Sequence, residues 1–308
     1  MKIKLPALSA AILVATWFCA CTAFAAASPK QHTVTVDGHP IAVWSKAANR
    51  PRHAILLVHG RTWSAVPNFD LQVPERRSVM QALATHGFAV YAVDLRGYGK
   101  TPRNADGWST PNQAANDVAE VLKWITARHP RLDKPALLGW SNGSVIAHLL
   151  AQQSPDVLSD LILYGHPRDP AATPTVPPTP ASPPREVNTR ERAASDFISP
   201  QVTSQSVIDK YVIEALKADP IRADWKQLEE YKVLDPAKVK APTLVLHGER
   251  DPLAPIAAQS RLFVGLGNPD KQWVILAGGD HAAMLEATHD AFIAAIVNFV
   301  ERPKVGKK

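Results

Sequence analysis

The chain has 308 residues, 46 % of them apolar and 20 % charged, the balance of a globular protein able to bury a large core in one large domain with an insertion or in two small ones. Its formal charge is +6, but Lys2, Lys4, Lys304, Lys307 and Lys308 sit at the two ends, so the body carries only +1 and a nucleic-acid-binding surface is excluded. Its two cysteines, Cys19 and Cys21, lie in the first 27 residues, which excludes a disulfide or a thiol nucleophile from the rest of the chain.

The N-terminus, MKIKLPALSAAILVATWFCACTAFAAASPK, places Lys2 and Lys4 before an apolar stretch of about Ala7 to Ala20 and then a run of small residues. That order predicts an export signal over 1–27, since the apolar run is shorter than the roughly 20 residues a membrane-spanning helix needs. Ala23-Phe24-Ala25 and Ala25-Ala26-Ala27 both suit cleavage, so the mature chain is expected to begin at Ala26 or Ser28, in the periplasm or the medium of a bacterium. A lipid-modified Cys21 is the less favoured alternative, because no aliphatic residue stands three places before it.

From there HTVTVDGHPIAVW alternates apolar and polar residues around Asp37-Gly38, which predicts an antiparallel hairpin. Apolar runs and helical stretches then alternate. HAILLVHG, a helix near Arg76 to His86, FAVYAVDL, a helix near Asn112 to His129, PALLGW, a helix from about Asn142 to Gln153, and LSDLILYG predict βαβ units and a mostly parallel sheet covered on both faces. The Pro-rich run from Pro167 to Pro184 interrupts the pattern and predicts a mobile surface loop. Helices are expected at Ser204 to Ala218 and Ile221 to Tyr231. The sheet resumes with APTLVLHG, a helix near Ile256 to Leu266, KQWVILAG, and a last helix from Met284 to Val300. The organisation expected is a core of 28–165 and 236–303 with an inserted cap over 166–235.

One motif carries chemistry in a context that gives it meaning. Gly139-Trp140-Ser141-Asn142-Gly143 joins an apolar strand directly to a helix, the G-x-S-x-G elbow in which a sharp turn thrusts the serine hydroxyl out of the sheet. Ser141 is therefore the expected nucleophile. At this point the mature chain resembles the α/β-hydrolase superfamily. The resemblance implies an α/β fold with a mostly parallel sheet, helices on both faces and a helical cap. HGRTW, with His59-Gly60 ending a strand, matches the place of one oxyanion donor, which implies the backbone N–H groups of Arg61 and Asn142 as the pair. VDLRGYGKT matches the family's D-x-R-G-x-G turn, with Asp94, Arg96, Gly97 and Gly99 in structural roles, and the His59 side chain is expected only to brace its turn.

LVLHGERDPLAP ends a strand near Asp251 and ILAGGDHAAM ends the last one near His281, which gives the family's order of nucleophile, acid and base. A serine hydroxyl is a poor nucleophile until a neutral imidazole takes its proton, and a carboxylate must hold that imidazole in the right tautomer. His148, His247 and His289 are weaker bases, the last expected on a solvated helix face. Asp280 stands where many relatives carry glycine. Trp63, Trp108, Trp140, His166 and Trp225 are expected near the pocket, with Trp63 and Trp140, which flank the oxyanion donors, the first candidates to touch substrate. No metal, nucleotide or cofactor motif occurs. The function implied is hydrolysis of a small acyl substrate, a carboxylic ester or a related acyl bond, through an acyl-enzyme. An aminopeptidase or an acyltransferase using the same triad stays open, although HGRTW departs from the HGGPG of proline-releasing peptidases. So does a ligand-binding protein that keeps the fold without the activity.

Overall fold

Val- and Ile-rich runs bounded by glycines become strands, and their alternation with amphipathic segments builds a three-layer structure. The computed structural model describes residues 28–304 apart from 174 and 177; the expected leader over 1–27 and Cys21 lie outside the described residues. The strands are β1 (Lys30–Val36), β2 (His39–Ala47), β3 (His53–Val58), β4 (Phe88–Val93), β5 (Trp108–Ser109), β6 (Ala136–Trp140), β7 (Leu161–Tyr164), β8 (Asp224–Trp225), β9 (Thr243–Gly248) and β10 (Lys271–Leu276). The helices are α1 (Ala65–Phe69), α2 (Val79–Thr85), α3 (Pro111–Arg128), α4 (Asn142–Gln153), α5 (Arg190–Ala194), α6 (Gln205–Ala218), α7 (Ile256–Gly265) and α8 (His289–Glu301).

Eight strands form one sheet in the order β1-β2-β4-β3-β6-β7-β9-β10. The Asp37-Gly38 hairpin supplies its antiparallel edge, with both turn residues at positive φ, and the six strands from β4 to β10 run parallel. The period of two along β3 separates the core into two. Leu56 and Val58 face a cluster that includes Val145, Ile146 and Leu163, whereas Ile55 and Leu57 face another that includes Leu138, Tyr164 and Phe292. Both faces are thus apolar, as parallel strands require.

Three expectations are corrected. Ile221 to Tyr231 is not a helix: Asp224–Trp225 pairs as a short parallel strand with Trp108–Ser109, and a 3₁₀ stretch, Leu228–Val233, follows. The last helix begins at His289 rather than Met284, because Thr288 Oγ1 donates to the Ala283 carbonyl and the chain turns there. His289 is accordingly buried at the helix start, with Nδ1 2.6 Å from the Met284 carbonyl, and not on a solvated face.

The turn after β4 is built from buried charge. Arg96 grips Asp117 of α3 through two bonds of 2.7 and 2.8 Å, and Asp94 accepts hydrogen bonds from Ala65 N–H, Lys100 N–H and the Trp44 indole. Replacing Arg96 with Met leaves Asp117 buried and unpaired, which is expected to cost about 3–5 kcal/mol. Thermal unfolding of Arg96→Met should show this loss, and Arg96→Met with Asp117→Leu should recover much of it.

Candidate active site

The carboxyl ends of parallel strands form a natural crevice, because the loops that leave them diverge to opposite faces. Four such loops converge here: Gly60-Arg61 beyond β3, Ser141 beyond β6, Asp251 beyond β9 and His281 beyond β10.

Ser141 sits at φ 54°, ψ −122°, a conformation that costs an ordinary residue of the order of 1–3 kcal/mol and persists only where its surroundings enforce it. They do so through two glycines. A side chain at Gly139 would overlap the Gly143 carbonyl, and one at Gly143 would overlap the carbonyls of Val58 and His59. The Ser141 N–H donates to the Tyr164 carbonyl at 2.9 Å, and its carbonyl accepts the N–H groups of Ser144 and Val145. Asn142 is the first residue of α4, where a backbone N–H has no partner within the helix and points outward. Gly60 lets the facing loop approach: a side chain there would lie 3.2 Å from the Ser141 Cβ. Thr62, one residue beyond Arg61, is held at φ 103°, so this loop is strained as well. The Arg61 side chain is exposed.

His59 is fully buried and its ring is held at both nitrogens, Nδ1 2.7 Å from the Gly60 carbonyl and Nε2 accepting the Leu95 N–H at 3.1 Å. Burial lowers its pKa to about 4, so it stays neutral and braces the turn.

His281 and Asp251 meet at 2.8 Å, Nδ1 to Oδ2, and both are nearly inaccessible. The other Asp251 oxygen accepts the N–H groups of Leu253 and Ala254. The carboxylate therefore takes the proton on Nδ1 and leaves Nε2 free to act as a base. The imidazole is positioned from behind. Trp140 Nε1 and the Tyr164 hydroxyl both donate to the His281 carbonyl at 2.9 Å, and that hydroxyl accepts the Met284 N–H. Gly165 leaves room for the pair, since a Cβ there would lie 3.2 Å from both the His281 ring and Asp251. The chemistry this arrangement supports is proton removal from a hydroxyl beside a helix N-terminus that favours negative charge.

The aromatic residues singled out above are all buried. Trp140 stacks on Tyr164; the Trp225 indole donates to the Tyr98 hydroxyl; His166 Nδ1 lies 2.9 Å from Ser144 Oγ; Trp63 belongs to the core cluster that includes Phe69 and Trp140. Sequence reasoning did not single out Asp196. This half-buried carboxylate accepts the Tyr211 hydroxyl at 2.9 Å, and burial raises its pKa to about 6 against the opposing influence of Tyr211, His281 and Trp63. No motif marks it, because it reaches the site from the segment between α5 and α6.

Asp280 turns away from the imidazole beside it and accepts the N–H groups of Ala282 and Ser199. Beneath it the buried Glu286 accepts the Asp280 N–H at 3.0 Å, and its pKa is raised to about 9, first by burial and then by Asp280. The folded protein thus holds a proton that the unfolded chain releases above the ordinary value of 4.5. Stability should fall as pH rises from about 4.5 towards 9. Glu286→Gln keeps the neutral shape and should remove more than about 1 kcal/mol of that pH dependence; urea titrations at pH 5, 7 and 8.5 would show it.

Among the described residues, no group of three His, Cys, Asp or Glu side chains is placed to hold a metal ion, and no helix is long and apolar enough to cross a membrane.

Comparison with known proteins bears on the family and the fold. A family model described as serine aminopeptidase, S33, matches residues 49–288. The serine hydrolase BPHL of Mus musculus is 27 % identical over 219 residues, 66 % of this chain, which spans 65 % of the length of that protein. A monoacylglycerol lipase of Mycolicibacterium smegmatis is 24 % identical over 253 residues, covering 72 % of this chain and 78 % of that one. Among solved structures, a serine hydrolase involved in carbazole degradation superposes with a TM-score of 0.62 at 19 % identity, over 89 % of this chain and 99 % of that one. At these identities the structural likeness shows the fold alone.

Proposed function

The chain belongs to the serine aminopeptidase S33 family of α/β-hydrolases, and from that premise we propose that it is an exported serine hydrolase that cleaves a carboxylic ester of a small substrate through an acyl-enzyme. The observation that carries this reading is the join of two features: Ser141 forced to positive φ between two glycines, and a His281–Asp251 pair at 2.8 Å on the neighbouring loops. Ser141 attacks the acyl carbonyl while His281 Nε2 takes its proton. The oxyanion forms against the N–H groups of Arg61 and Asn142. The imidazolium, held by Asp251, then protonates the leaving alcohol. Water, deprotonated by the same imidazole, releases the acid.

Export rests on the leader alone, and N-terminal sequencing of secreted material should return Ala26 or Ser28. A second reading, cleavage at a free amino end, has one observation in its favour. The family model that matches the chain is described as a serine aminopeptidase, and a half-buried carboxylate such as Asp196 would pair with a substrate ammonium. A panel of p-nitrophenyl esters of graded chain length beside aminoacyl anilides separates the two. Turnover of simple acyl esters supports the ester reading, and turnover confined to substrates with a free amino group replaces it with the second.

A further inference from the structure

A cavity lies behind the nucleophile turn. Ser144 and His148 share one face of α4, and the cavity that adjoins it, about 330 Å³ in volume, is walled by His148, His166, Arg168, Tyr231, Lys232 and Leu262 among others, but by none of Ser141, Asp251 or His281. Its wall carries two cations, Arg168 and Lys232, and one acid, Asp169. The rings of His148 and His166 stand 5.4 Å apart, 2 % and 1 % exposed. Neither nitrogen of His148 completes a hydrogen bond, and burial lowers its pKa to about 4, so the ring is neutral and carries a single N–H.

Arg168 is half-buried, stacks over the Tyr231 ring at 5.2 Å, and forms none of the salt bridges among the described residues. The acid beside it in sequence, Asp169, is already neutralised by two bonds to Arg261 of 2.8 and 2.6 Å. Cationic and N–H-bearing groups thus surround a space that offers no free carboxylate. A guanidinium deprived of part of its water and left without an anion is a costly arrangement, which a bound oxyanion would relieve.

We propose that this cavity is a binding site for a small oxyanion, a carboxylate or a phosphate, held by Arg168 and Lys232 at its mouth and by the His148 ring N–H within, separate from the reaction centre. The site stands independently of the hydrolytic reading, since no catalytic residue lines it. Its walls still reach the elbow: the Tyr231 hydroxyl donates to Asn142 Oδ1 at 3.4 Å, and His166 joins Ser144.

The test is nuclear magnetic resonance of the full chain with ¹⁵N-labelled histidine, titrated separately with propionate and with inorganic phosphate. Saturable shifts confined to His148 and His166 are expected, and whichever anion saturates them identifies the class. Arg168→Gln should weaken that binding at least about tenfold, the loss of one charge-assisted hydrogen bond, whereas the exposed Arg190→Gln should leave it unchanged. If neither anion moves both imidazoles, or if Arg168→Gln binds as tightly as the wild type, the cavity is not an anion site.

Discussion

Replacing Ser141 with Ala is expected to lower kcat on activated esters by something like 10⁴ to 10⁶, with the fold intact. Alanine removes the nucleophilic oxygen and nothing else. It meets the same φ of 54°, and the surrounding hydrogen bonds use the backbone of residue 141, not its side chain. His281→Ala should fall in the same range, because an unactivated serine is as ineffective as an absent one. Combining the two should add little, since both remove one cooperative unit. Circular dichroism and thermal melting should match the wild type for Ser141→Ala. Wild-type ester turnover in that variant would remove Ser141 from the mechanism.

Asp251→Asn should cost less, roughly 10² to 10⁴ in kcat, with KM little changed, and the geometry gives the reason. Oδ1 of Asp251 receives two backbone N–H groups, from Leu253 and Ala254. An asparagine must keep its carbonyl oxygen there, so its NH₂ is turned towards His281 Nδ1. The imidazole then accepts at Nδ1 and carries its proton on Nε2, where it cannot take one from Ser141. Asp251→Ala leaves the tautomer free, so it isolates the wrong-tautomer effect: the asparagine variant should be at least as impaired as the alanine one. An asparagine variant with full activity would show that the 2.8 Å contact does not orient the base.

Much of this architecture was legible because it depends on local demands. Gly139 and Gly143 announce a turn that admits no side chain, with an apolar run of the length of a buried strand before it and a helix after it. The ends of β9 and β10 were legible in the same way, which brought Asp251 and His281 forward. What the chain concealed is long-range. That Trp140 and Tyr164 hold the His281 carbonyl follows only once β6 and β7 lie side by side, with the last loop folded over them. The segment from Ile221 to Tyr231 has helical spacing, yet pairing of Trp225 with Ser109 and its indole bond to Tyr98 outweigh that local preference. His289 was misplaced for a similar reason: its polarity suggested solvent, but the Met284 carbonyl satisfies its ring inside the protein. Asp196 carries no local signature at all, and only the packing of Tyr211 against Phe197 brings it to the Tyr211 hydroxyl.

The central claim is that Ser141 is activated by its surroundings, and covalent labelling measures this directly. Incubation of the purified chain with a fluorophosphonate, followed by intact-mass measurement and peptide mapping, should show one adduct per chain, on Ser141. Labelling should be lost in His281→Ala, which still contains the serine. A chain that stays unlabelled, or one labelled at Ser141 as fast without His281 as with it, would contradict the account and leave a hydrolase fold that binds its ligand without cleaving it.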